Sequence, residues 1–177
     1  QAAKQCVPSG IALEPLRAAT LVPLVIAGVH KGLLRNGWSA RFEKEGCEGA
    51  SKVNYLVMQT AQGALALMRM GSGETLANAS VLMDAHRMVG PLMLIEFERR
   101  GVKCDASNFL LGEIKVTERG DDLGEEIFGA RLKGSWTETW EFTGCGMRGS
   151  VPIEFRWDGA GGAYINGRMK EAVIEKL

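Results

Sequence analysis

Hydrophobic positions recur along this chain with two different periods. Between Phe128 and Phe142 the even positions carry Phe128, Ala130, Leu132, Gly134, Trp136, Glu138, Trp140 and Phe142, and the odd positions are glycine, polar or charged. Such alternation predicts a long strand with one buried face. The return run places Val151, Ile153, Phe155 and Trp157 on odd positions. For both apolar sets to share a face, Phe142 is expected opposite Val151 and Glu138 opposite Phe155. "LLGEIKV" reads as a strand before this hairpin, "ERGDDLGEE" as a polar loop, and "AYI" as a short strand after it.

Upstream the period changes to that of a helix. Val81, Ala85, Met88, Leu92 and Ile95 form a stripe that Leu82, Val89 and Met93 widen, with Ser80, Asp84, Arg87 and Glu98 opposite. Arg99 and Arg100 complement the helix dipole and Gly101 supplies a stop. Pro91 removes an internal hydrogen bond, which predicts a kink or two helices meeting at Gly90–Pro91. "VNYLVMQ" and "ALALMRM" read as buried strands joined through "TAQG". Residues 13–35 admit either a helix interrupted near Pro23 or an Asn36–Gly37 hairpin, and the helix is favoured. The pattern as a whole predicts one α+β domain over residues 1–177. Its antiparallel sheet, a meander ending in a long C-terminal hairpin, packs against a kinked central helix and an N-terminal helix.

Composition narrows the class. Lys+Arg and Asp+Glu are equal at 21 each, so no net field draws nucleic acid. Glycine, at 23 residues, is well above the usual ~7% and implies many tight turns. The longest apolar run, Ala18 to Val29, is too short to span a bilayer and contains Pro23. Cys6, Cys47, Cys104 and Cys145 lack Cys-x-x-Cys spacing and have no neighbouring histidine. That pattern speaks for structural disulfides in an oxidising compartment rather than a zinc site. Four cysteines allow three connectivities; proximity in sequence favours Cys6–Cys47 and Cys104–Cys145. A start at "QAAKQC" without methionine fits a mature chain after signal removal, and the expected location is periplasmic or secreted.

"GSWTETWEFTGCG" followed by "VPIEFRWDGAGGAY" resembles the C-terminal hairpin of small exported bacterial proteins of uncharacterised function. These carry a W-x-E-x-W strand, a Cys-Gly turn and a V-x-I-x-F return strand. "GSGETLANASVLMDAHR" is similar to the segment before the central helix in such proteins. The resemblance implies export and a disulfide at Cys145. It implies no activity.

Candidate chemistry is sparse. His30 and His86 are the only histidines, and no Ser-His-Asp, Cys-His or HExxH arrangement assembles from them. "GSGET" before the helix offers N–H groups to an anion, or merely a helix cap at Ser72 or a later polar residue. Asp121, Asp122, Glu125 and Glu126 lack calcium-loop spacing. Met68 and Met70 form an M-x-M pair of the kind that binds copper(I), yet methionines filling core gaps account for them more simply. Glu138 between Trp136 and Trp140 carries three readings: an exposed binding ledge with Phe155 and Trp157, a buried carboxylate paired with a remote Arg or Lys, or a catalytic acid. The favoured function is a non-catalytic binding module for a protein or small ligand, acting through the aromatic hairpin or a groove beside the central helix. The alternative is a hydrolase using Glu138 with a second carboxylate or His86. No cofactor or metal is implied.

Overall fold

The computed structural model describes residues 6–19, 22–46, 52–127 and 131–177. Along the chain run β1 (Gly10–Leu13), β2 (Arg17–Ala18), α1 (Pro23–His30), β3 (Leu34–Glu45), β4 (Lys52–Thr60), β5 (Leu65–Gly73) and α2 (Ala79–Arg99). They are followed by β6 (Leu110–Arg119), β7 (Ser135–Gly144), β8 (Met147–Trp157), β9 (Ala163–Gly167) and β10 (Val173–Lys176). The strands form a single sheet in the order β1-β3-β4-β5-β6-β7-β8-β10, with β2 beside β3 and β9 beside β8. The fold is α+β. Every pairing is antiparallel except β5 with β6, and a parallel pair needs a crossover, which α2 provides.

That parallel joint is short, with Ser72 opposite Glu113 and Gly73 opposite Ile114. Gly73 makes it possible. Its φ is +96°, and a Cβ there would lie 2.0 Å from the Ile114 carbonyl oxygen. No other residue fits such an approach.

One face of β6, β7 and β8 carries the main core. Ile114, Trp136, Trp140, Phe142, Val151, Ile153 and Phe155 lie beneath Val81, Leu82, Ala85, Val89, Met93 and Phe97 of α2. Gly149 admits the helix, since a Cβ would meet the Met93 and Phe97 side chains at 2.6 and 3.0 Å. A smaller cluster of Ala19, Val22, Val25, Leu56 and Ala79 joins α1 to β4 and the start of α2.

Several expectations need correction. The long strand begins at Ser135 rather than Phe128, and residues 128–130 lie outside the described residues. The hairpin register is shifted by two positions: Glu138 faces Ile153, Trp136 faces Phe155 and Phe142 faces Gly149. The cause is the tightness of the turn. Cys145 and Gly146, at φ 53° and 74°, close the hairpin by themselves, a geometry that matches strand twist. An even shift keeps both apolar sets on one face.

The N-terminal segment also departs from the helix expected across residues 13–35. Its helix spans only Pro23–His30, with Pro23 in the first turn instead of interrupting it. Asn36–Gly37 lies within β3, beside a bulge, and makes no hairpin turn. In α2, Asn78 is the cap, accepting the Val81 N–H at 2.9 Å, and the helix continues through Pro91. Its buried arc is rotated toward Leu82, Val89, Met93 and Phe97, leaving Met88, Leu92 and Ile95 partly exposed. The helix is apolar over a wider arc than the sheet covers.

Cys104 and Cys145 are joined, with Cα atoms 5.6 Å apart. The Cys6–Cys47 pairing involves Cys47, outside the described residues. The Cys104–Cys145 bridge holds the segment after α2 against the hairpin turn, where Phe109 stacks on Phe142 and meets Phe97 edge-on. Replacing both cysteines (Cys104→Ala with Cys145→Ala) is expected to lower stability by about 2–4 kcal/mol in urea denaturation. A loss below about 0.5 kcal/mol, the range of ordinary surface substitutions, would show that aromatic packing alone holds this segment.

Candidate functional site

Glu138 is fully buried, at 0% exposure. Its Oε1 accepts from the Thr75 hydroxyl at 2.7 Å, the Leu76 N–H at 2.9 Å and the Trp136 indole N–H at 2.8 Å. Its Oε2 accepts from the Trp140 indole N–H at 2.9 Å. Residues 136, 138 and 140 share a strand face, so the two indoles flank the carboxylate by pleat alone. Burial pushes the Glu138 carboxyl above its ordinary range, against the opposing pull of the donors from Trp140, Thr75, Leu76 and Trp136.

No Lys or Arg among the described residues forms an ion pair with Glu138. A cation acts on it through one peptide instead. Arg41 donates to the Thr75 carbonyl at 2.8 Å, and the N–H of that same peptide unit, on Leu76, donates to Glu138. Such a chain polarises each bond in it. Asn54 steadies the arrangement, accepting from Arg41 at 2.9 Å and donating to the Gly73 carbonyl at 3.1 Å. Of the "GSGET" segment only the Thr75 hydroxyl reaches Glu138; the backbone N–H comes from Leu76, and the helix cap is the later polar residue Asn78.

The exposed ledge is therefore not formed. Trp136, Trp140, Phe155 and Trp157 are buried with Glu138, and Trp136 stacks on Phe155 and Trp157 with centroids 4.8 and 4.9 Å apart. Burying a carboxylate is costly; two indoles, a hydroxyl and a backbone N–H offset part of that cost here without a charge partner. A Glu138 so enclosed presents no oxygen to solvent. His30 ends α1. Asp122 accepts from the Ser135 N–H and hydroxyl, a loop-closing role. Among the described residues no group of three or more His, Cys, Asp or Glu is placed to hold a metal.

A groove of about 530 Å³ lies beside the central helix. From β5 it takes Met68, Arg69 and Met70; from α2, Leu82, Met83, His86 and Arg87; and from the chain entering β6, Phe109, Leu110 and Leu111. Burial holds the His86 imidazole below its ordinary value of 6.5. Met68, Met70 and Met83 line the same groove as His86, a juxtaposition invisible in their spacing. Arg69 and Arg87 beside them oppose a metal cation. Sequence reading missed Arg69 and Phe109–Leu111 as lining, and the only signal was an arginine amid an otherwise apolar strand.

A second cleft, of about 640 Å³, opens on the other face of the sheet. Several of its polar groups are engaged with one another. Glu154 pairs with Arg168 and accepts from Asn166 at 2.7 Å, Thr137 donates to Glu118 at 2.9 Å, and Arg156 lies 5.1 Å from the Tyr164 ring centroid. The Arg168 guanidinium holds the Glu154 carboxyl below its usual range.

Glu138→Gln is expected to cost about 1–3 kcal/mol, because its amide N–H₂ meets a donor at Trp140 or at the Oε1 cluster. The loss should depend on pH. The folded carboxyl titrates above its ordinary value of 4.5, so in that interval the folded chain keeps a proton that the unfolded chain has released. Stability from this group is then greatest below the unfolded pKa, falls as pH rises through the interval, and levels off above the folded pKa. Urea melts of wild type and Glu138→Gln between about pH 4 and about pH 8 should show the wild-type advantage shrinking as pH rises. An advantage that grows with pH would mean the donors outweigh burial.

No protein-family model matches this chain, and neither a curated protein nor a solved structure matches it.

Proposed function

We propose that this chain is an exported, non-catalytic binding module that takes an apolar small ligand in the groove beside α2. The observation that carries the reading is the groove's wall. Met68, Met70, Leu82, Met83, Phe109 and Leu111 present apolar surface in a recess within the usual range of small-molecule sites, about 300–1,000 Å³. Leu110, 63% exposed, extends that surface to the rim. Export is supported by the Cys104–Cys145 bridge, since such bonds persist in oxidising compartments. Among the described residues no helix is long and apolar enough to cross a membrane.

A hydrolase reading has less support. Glu138 gives its oxygens to four internal donors, and His86 shares its groove with no carboxylate. Acid–base work requires a second group within reach of the substrate.

A neutral phenylnaphthylamine dye should bind with saturable enhancement of its fluorescence. Met68→Glu and Leu110→Glu, both at the rim, should each weaken it about tenfold, the equivalent of losing roughly one leucine's apolar contact. Dye binding that neither substitution changes would remove the groove from the proposal.

A further inference from the structure

We infer that the groove's ligand is a free, single-chain anionic amphiphile of the fatty-acid type, its chain on the apolar wall and its carboxylate between Arg69 and Arg87. This rests on the groove reading above. The charge of the lining carries it. Arg69 and Arg87 are the charged side chains of the groove, and no carboxylate lines it. The chain as a whole is neutral, with 21 basic and 21 acidic residues, so the cationic rim belongs to the groove and not to the protein at large.

Neither guanidinium is consumed by its neighbours. Arg87 is two-thirds exposed at the side chain and meets Asp84 only at 3.7 Å, a helix-surface pair of little strength. Arg69 donates to the Ser72 hydroxyl at 2.5 Å, one bond from a fork of five donors. Guanidinium forks match carboxylates in shape as well as charge. The recess is walled by β5, α2 and the 109–111 segment, a form that accepts one chain, whereas a bilayer requires a protruding apolar surface.

Competition against the neutral dye tests this. Dodecanoate should displace it at lower concentration than dodecanol, and dodecyltrimethylammonium should be weakest. Arg87→Gln and Arg69→Gln should each weaken dodecanoate about three- to tenfold, and by more than they weaken the dye or dodecanol. Added salt should weaken dodecanoate alone. Equal binding of dodecanoate and dodecanol, or Arg variants with wild-type dodecanoate affinity, would overturn the anionic head group and leave the apolar groove standing. Failure of the dye itself would remove both. Binding to anionic vesicles without displacement of the dye by monomeric dodecanoate would also overturn it, because the surface would then meet a membrane. Arg87 is exposed on α2, so its variant keeps the test available if Arg69→Gln disturbs Ser72.

Discussion

A carboxylate without a cation at its side organises this molecule. Glu138 ties together three elements that are distant in sequence: β7, which carries it; the β5–α2 junction, which supplies Thr75 and Leu76; and β3, whose Arg41 polarises the intervening peptide. Burying an ionised group without such donors would cost several kcal/mol. An apolar residue at 138 would leave the Leu76 N–H and two indole N–H groups unpaired instead. The network thus sets where the crossover helix begins relative to the sheet. Direct pairing with an arginine is common in buried carboxylates; here the charge arrives through a peptide plane, and the core stays aromatic on both sides of the acid.

Much of the fold was legible because it depends on local periods. The one-sided hairpin, the β4–β5 hairpin, β6 and the long central helix follow from alternation at two or near 3.6 residues. What failed depended on geometry that the period does not carry. The register of β7 against β8 was set by a turn held by Cys145 in the left-handed region, an uncommon conformation for a residue with a Cβ. The buried arc of α2 was misplaced because its apolar residues extend around more of the helix than the sheet can cover, and Phe97 was left out of the stripe.

The site was less legible. Both halves of the Glu138 network were visible as separate oddities, a glutamate between tryptophans and a glycine-rich segment able to bind an anion. Sequence gave no reason to bring them together, because 63 residues separate Thr75 from Glu138. The groove was foreseen only as a place beside the helix. Its lining comes from three segments that meet through the parallel β5–β6 joint, and a contact between elements on either side of a crossover leaves no periodic trace.

The groove and the carboxylate network have one structural origin. A parallel joint limited to Ser72–Glu113 and Gly73–Ile114 leaves Met68–Met70 and Phe109–Leu110 outside the ladder, while the Leu111 side chain closes on Gly71 beside the joint. The joint's other end is where the chain leaves β5, and Asn54 and Arg41 hold the Gly73 and Thr75 carbonyls so that Leu76 meets Glu138. The Cys104–Cys145 bridge ties the segment that leads into Phe109 to the hairpin turn, and Phe109 stacks on Phe142 of β7. A longer parallel ladder would bring the strands together and fill the recess. Gly73 permits the close approach at one point, and the opening beside it follows from confining that approach to two residue pairs.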